Sequence, residues 1–205
     1  RFKECFTTGS RMNFIDVSEK IISSLFPDET WNEQYKNVFV ASSRVPKNSE
    51  QKKVFEKEFL MAQIASDNGH IIFLLPEFSD RKNPDALFDA GFTEFKSVTG
   101  GENAVSHRFR DALHQGQNVY LKIDSNITVK RIKQILAGVL KEKENNGKVY
   151  CYVTRLNALY TWNMQDLKQN KAPDGALSLP QADKNQNSDI FTIPQNAKKS
   201  SEETK

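Results

Sequence analysis

Apolar residues recur along this chain in two rhythms, and the changes of rhythm mark its elements. Asn13 to Leu25 carries apolar residues at helical spacing, and Pro27-Asp28-Glu29-Thr30 closes it with turn chemistry. Tyr35 to Ala41 reads as a single short extended run. Asn48 with Gln51 three residues later has the form of an N-cap and its partner, and the helix it opens runs to Asn68-Gly69, where glycine stops it. His70 to Leu75 is an apolar strand ending at Pro76-Glu77. Asp85 to Asp89 and Phe92 to Ser97 are two short runs joined through Ala90-Gly91, which predicts a β-hairpin. After Gly100-Gly101, Val105, Phe109, Ala112 and Leu113 fall on one face of a helix closed by Gly116. Asn118 to Ile123 alternates as a strand. A second helix follows, with Ile132, Ile135, Leu136, Val139 and Leu140 on one stripe, and it ends at Asn145-Asn146-Gly147. Lys148 to Thr154 is the last predicted strand, and no internal repeat stands out.

The hairpin carries charges that a core strand would not. Glu94 and Lys96 are two apart on its second strand, so the pleat points both to one face while Phe95 points to the other. Asp85 stands at the start of the first strand. Phosphodiester hydrolysis needs a divalent cation held by oxygen ligands and a positive group near the attacking water or scissile phosphate. Asp85, Glu94 and Lys96 supply those groups. An oxygen-rich set of this kind suits magnesium or manganese and admits zinc.

The helix before the first apolar strand adds a third carboxylate. Val54, Glu58, Met61, Ala62 and Ala65 lie on one side at 100° per residue, with Phe55 and Phe59 flanking. Glu58 therefore sits inside an apolar stripe. Burying a carboxylate there is costly unless it is paired or bound to a cation, so it could meet Lys96 or a cation at the mouth of the hairpin, pair with a structural lysine, or snorkel out at the edge of the stripe.

Composition changes this picture in two places. The net charge is only +3, with 27% charged and 38% hydrophobic residues. Between Asn103 and Lys148, however, nine Lys and Arg stand against four Asp and Glu, a local excess of five downstream of the hairpin. That excess would attract a polyanion. Lys130, Arg131 and Lys133 on the second basic helix are the candidates there. On the preceding helix His107, Arg110, Asp111 and His114 fall on the polar side, where they could contact phosphates or face water, while Arg108 lies nearer the apolar edge and with Ser106 could reach a substrate at the hairpin. The second place is the end of the chain. Beyond Asp166 the residues are mostly Lys, Gln, Asn, Ser, Asp and Pro, too polar to repay the entropy of ordering.

Other chemistry finds little support. Cys5 and Cys151 are far apart and lack metal-ligand spacing. Gly100-Gly101 lacks the Lys-Ser or Lys-Thr of a phosphate loop. No apolar run approaches the roughly 20 residues of a membrane-spanning helix. Tyr160 and Trp162 have the chemistry to stack on an unpaired base or to plug the end of a core. The chain opens on Arg1 rather than Met, as expected of a trimmed product or a piece of a longer polypeptide.

The order helix, three strands, helix, strand, with Glu58 in the first helix and Asn83-Pro84-Asp85…Glu94-Phe95-Lys96 across the hairpin, resembles the PD-(D/E)xK nuclease superfamily. Leu74-Leu75-Pro76-Glu77, the helix from Asn103 to Gln115 and Gln117-Asn118 extend the likeness over about half the chain. Within that superfamily it looks most like the C-terminal tRNase toxin domains of contact-dependent growth inhibition systems and related phage and mobile-element proteins. The resemblance implies an α/β fold with an α-β-β-β-α-β core and a further helix and strand. It implies a metal-dependent endonuclease in which Asp85, Glu94 and Glu58 serve the metal and Lys96 positions water and phosphate, with Glu77 as a weaker addition. RNA, and tRNA in particular, is the implied substrate. An immunity or partner protein, a cytoplasmic site of action and a bacterial or phage origin are implied with it. The nuclease core is expected over residues 47–165. Residues 1–46 form an N-terminal helix and short strand compatible with a remnant of a larger protein, and 166–205 a polar tail. The residues alone leave a second class open, a non-catalytic module that keeps the fold and holds nucleic acid or a partner through its basic helices.

Overall fold

In the computed structural model, described here for residues 15–78, 83–141 and 145–169, the chain builds one mixed eight-stranded sheet with helices on both faces. Helical residues 15–25 form α1. Then follow β1 (Trp31–Tyr35), β2 (Val38–Ala41), α2 (Ser49–Asp67), β3 (Ile72–Leu74), β4 (Ala86–Phe88), β5 (Gly91–Val98), α3 (Glu102–Ala112), β6 (Asn118–Ile123), α4 (Val129–Leu140), β7 (Lys148–Val153), β8 (Ala158–Asn163) and α5 (Met164–Lys168). The strands lie in sequence order across the sheet. The pairs β2–β3, β5–β6 and β6–β7 are parallel, each bridged by a helix, and the other four are antiparallel. The segment α2-β3-β4-β5-α3-β6 reproduces the expected α-β-β-β-α-β order.

Local signals account for most boundaries. Asn48 Oδ1 accepts from the Gln51 backbone N–H at 2.9 Å and caps α2, while Gln51 Oε1 accepts from the Lys47 N–H at 2.9 Å. Thr128 caps α4 through the Arg131 N–H at 3.3 Å. The β4–β5 turn sits one residue earlier than its glycine suggested. Asp89 and Ala90 both have positive φ, 45° and 64°, the left-handed pair that tight hairpins require. Asp89 supports this conformation by accepting from the Ile71 N–H at 3.0 Å and pairing with His70 at 2.6 Å.

Three expectations need correction. The run from Tyr35 to Ala41 is not one strand, because the chain turns at Lys36-Asn37 and separates β1 from β2. Lys148 to Thr154 is not the last strand, since β8 follows and α5 packs Met164 and Leu167 into the core. The sheet also runs across the boundary drawn at residue 46, through the parallel pairing of β2 with β3. Of the expected polar tail, residues 170–205 lie outside the described residues, as do Asn13 and Phe14 of the first helix.

Alternate residues of the strands feed different cores. On one face Val38, Val40, Ile72, Leu74, Ala86, Phe88 and Phe95 pack with Met61, Ala62 and Ala65 of α2. On the other, Phe73 and Leu87 pack with Ile22 of α1. Further along that second face, Val119, Leu121, Val149 and Cys151 pack beneath α3, α4 and α5. The α1 and α3–α5 cores therefore occupy different stretches of one face, and the polar residues of β5 lie between them.

Candidate active site

The hairpin register places the first two charged groups. Ala86 pairs with Thr93 and Leu87 with Phe92, so one step further Asp85 stands across from Glu94 on the face that Lys96 shares. Strand β4 begins only at Ala86, leaving this edge of β5 beyond Thr93 without a strand partner. Asp85 fills part of the gap, its Oδ2 accepting from the Phe95 backbone N–H at 2.7 Å. Lys96 Nζ donates to Glu94 Oε1. The other oxygen, Glu94 Oε2, is buried with no hydrogen-bond partner, and the whole residue is only 3% exposed. A buried orphan oxygen of this kind demands an explanation.

Glu58 reaches the same neighbourhood from the α2 side of the sheet. Its partner is neither Lys96 nor a free cation but Arg44, which sequence reasoning had not singled out. Arg44 Nη2 lies 2.5 Å from Glu58 Oε2, while Nη1 donates to the carbonyl oxygens of Leu75 and, at 2.9 Å, Asp85. Arg44 is 5% exposed and lies in a single 3-10 turn, Ser42–Arg44, between β2 and α2. One guanidinium thus ties the end of β3, the start of β4 and the middle of α2 together. The available signal was indirect: a glutamate inside an apolar stripe calls for a cation, and Arg44 is the arginine of the preceding connection. Glu77 is largely exposed, 3.9 Å from Arg44.

Electrostatics couple the cluster. Burial pushes the Glu58 carboxyl up from its ordinary pKa, the charge of Asp85 adds to that, and Arg44 opposes it. Asp85 is also raised by burial, which outweighs its bond from the Phe95 N–H and the positive charges of Arg44 and Lys96. Glu94 is raised to about 7, first by burial and then by the charge of Asp85, against the pull of Lys96. Four carboxylates, Glu58, Glu77, Asp85 and Glu94, therefore face two cations, Arg44 and Lys96. Among the described residues, no three His, Cys, Asp or Glu side chains form a ready-made metal-ligand group. The pair with oxygen to offer is Asp85 and Glu94, since Glu58 is held by Arg44.

A cleft of about 540 Å³ opens beside Lys96, lined also by Arg108, Asp111, His114 and Gln115 of α3 and its C-terminal turn. Of the residues expected to hold nucleic acid, Arg108 is the one this cleft brings to the lysine. Ser106 lines a different cleft, between α3 and α4, together with Arg131. Arg131 is engaged, donating to both carboxylate oxygens of Glu102 at 2.8 and 2.7 Å. His107 pairs with Asp111 at 2.9 Å on the exposed side of α3. Lys130 is exposed and Lys133 half-buried on α4. Tyr160 and Trp162 stack on each other with centroids 5.8 Å apart, and Trp162 is buried in the core, so the pair serves the end of the sheet.

Residues 82–155, which include Asp85, Glu94 and Lys96, match the family model for the contact-dependent growth inhibition CdiA C-terminal domain. Among solved structures, the chain is similar to a CdiA-CT/CdiI toxin and immunity complex from Burkholderia pseudomallei, at 16% identity and a TM-score of 0.44, over 58% of this chain and 92% of that one. No curated protein matches the chain in sequence.

Proposed function

We propose that this chain is a metal-dependent nuclease that hydrolyses phosphodiester bonds in RNA, in the role of a growth-inhibition toxin. The observation that carries the chemistry is the strip Asp85, Glu94 and Lys96 on one face of the β4–β5 hairpin, with Glu94 Oε2 buried and unpartnered. The match of residues 82–155 to the CdiA C-terminal family supports the toxin role. Transfer RNA is the substrate to test first, on the strength of the likeness carried by Asp85…Glu94-Phe95-Lys96.

The donor set fits a hard divalent cation. Magnesium is usually held by one or two carboxylates, with water and substrate phosphate completing its shell, so Asp85 and Glu94 suffice without a third protein ligand. Bound there, such an ion supplies Lewis-acid polarisation of the phosphate and a more acidic water. The chain's own groups do the rest. Lys96, held by Glu94, presents its ammonium to the cleft, where negative charge develops on the phosphate oxygens in the transition state. Arg108, which lines the same cleft, is placed to hold a neighbouring phosphate. Arg44 fixes the carbonyl of Asp85 and the carboxylate of Glu58, so the metal-binding edge is positioned before substrate arrives. A toxin of this kind also calls for a cognate protein that blocks the cleft in the cell that makes it.

The test is cleavage of a labelled tRNA pool and of a plasmid by the purified chain with magnesium, manganese or zinc, and with chelator, beside Glu94→Ala. Metal-dependent cutting that the variant lacks is the expected result, and the substrate that is cut names the class. A folded, metal-loaded chain that cuts neither would refute the reading and leave a nucleic-acid-binding or scaffold module.

A further inference from the structure

A second, larger cleft of about 690 Å³ is lined by Gln117, Asn145, Asn146, Gln165 and Lys168. Among the described residues its lining is four carboxamides and one ammonium, and its size falls in the roughly 300–1,000 Å³ range of sites that hold small organic groups. It adjoins the first cleft through Gln115-Gly116-Gln117: Gln115 lines the cleft of Lys96, and Gln117 lines this one. Gly116, between them, packs against the catalytic strand. A Cβ at that position would come within 2.8 Å of the Glu94 backbone nitrogen and 3.2 Å of Glu94 Cβ. The two clefts are therefore neighbours across a turn that rests on Glu94.

The amides are partly fixed before any ligand binds. Asn145 Oδ1 accepts from the Gly147 N–H at 2.9 Å, and Gln165 Nε2 donates to Asn146 Oδ1. Among the described residues, these bonds do not use the Asn145 and Asn146 NH2 groups or the Gln165 carbonyl, and the Gln117 amide lines the same cleft. A carboxamide offers a donor and an acceptor side by side, which is the pattern that nucleobase edges present. Unpaired bases are read by such groups in RNA, while the ammonium meets phosphate.

We propose that this amide-lined cleft binds a nucleotide flanking the scissile phosphate and reads its base, making it the specificity subsite of the nuclease. The inference rests on the nuclease reading of the neighbouring cleft. Continuity with Lys96 and Arg108 across one turn selects nucleic acid over a peptide as the occupant.

The experiment measures binding apart from cutting. In a Glu94→Ala background, which retains the Cβ that Gly116 packs against, fluorescence anisotropy follows the affinity for labelled 12-nucleotide single-stranded RNAs of adenine, cytosine, uracil and mixed sequence. Adding Gln117→Ala with Gln165→Ala, both at exposed positions, is expected to weaken binding about ten- to a hundred-fold. The double change should also level the differences among the four RNAs and leave the salt dependence unchanged. Lys168→Ala should instead reduce the salt dependence. With Glu94 intact, the amide variant should raise KM and scatter the cut sites. Unchanged affinity and unchanged ranking of the RNAs would overturn the proposal and leave the cleft to a protein partner. The nuclease reading fails separately: a chain with Glu94 intact that binds through this cleft and cuts nothing refutes catalysis while keeping the cleft as a nucleic-acid site.

Discussion

Strands β5 and β6 lie side by side in parallel register, Glu94 beside Val119, Phe95 beside Tyr120 and Lys96 beside Leu121. On one face they do the same work: Phe95 and Tyr120 meet edge to face with centroids 5.2 Å apart, above the α2 core. On the other face they part. Val119 and Leu121 are fully buried against α3 and α4, whereas Glu94 and Lys96 put charge at the same depth in the sheet. The difference follows from what covers each strand. Strand β6 is flanked by β5 and β7 and roofed by helices, while the charged face of β5 falls between the α1 and α3 cores, where a cleft begins. One strand geometry thus serves stability on β6 and, in the proposed reading, chemistry on β5, with the elements that roof each strand deciding which.

The sharpest way to break this contrast is to exchange function for stability at one register. Glu94→Ala, or Lys96→Ala, should lower cleavage about a thousand-fold while the chain stays folded, measured as single-turnover rates beside a thermal melt. Next in size is Arg44→Ala, which leaves the half-buried Glu58 unpaired and should cost about 3 kcal/mol in chemical denaturation. Replacing both partners with Leu should recover much of that loss; if the double variant is as unstable as the single, Arg44 acts through its bonds to the Leu75 and Asp85 carbonyls instead. On the β6 side, Leu121→Ala should cost about 3 kcal/mol through the cavity it opens, with cleavage per folded molecule unchanged. A large loss of rate there, at unchanged stability, would erase the distinction between the two strands.

How far these regions could be read in advance follows the same division. The hairpin was legible because a Glu-x-Lys pair inside an alternating strand breaks the apolar pattern at a period of two, and β6 because Val119 to Ile123 is an almost wholly apolar run bounded by Gly116 and Asp124-Ser125. Strand β1 was not, since Trp31-Asn32-Glu33-Gln34-Tyr35 is a mostly exposed edge strand without an apolar face to reveal it. Strand β8 escaped for a related reason, being a half-buried edge. Glu58 was recognisable as a buried charge, but its partner was not, because nothing near Arg44 distinguishes a buried arginine from a solvated one. The two clefts were further out of reach. They depend on which turns the sheet order brings together and on how closely Gly116 approaches Glu94, neither of which has a local signature.

The smallest effect tests the cost that β5 bears and β6 does not. Burial and the neighbouring Asp85 raise Glu94 to about 7 in the folded chain, above the 4.5 of an ordinary glutamate. The folded state therefore holds this proton more tightly than the unfolded chain does. The stabilisation it gives is complete below about pH 4.5 and is lost as the pH rises through about 7. Glutamine keeps the shape of the protonated acid and cannot ionise. Melts of Glu94→Gln and of the parent chain, recorded in chelator, should coincide near pH 4 and separate on raising the pH, the variant becoming the more stable by about 2 kcal/mol above pH 8 once solvent screening is allowed for. Val119→Gln, at the paired position on β6, should show no such divergence and should be destabilised at every pH, because there the sheet buries an amide with no partner. A Glu94→Gln variant whose stability tracks the parent across the range would mean that Lys96 already neutralises the carboxylate. The orphan oxygen of Glu94 would then lose its standing as the mark of the proposed cation site.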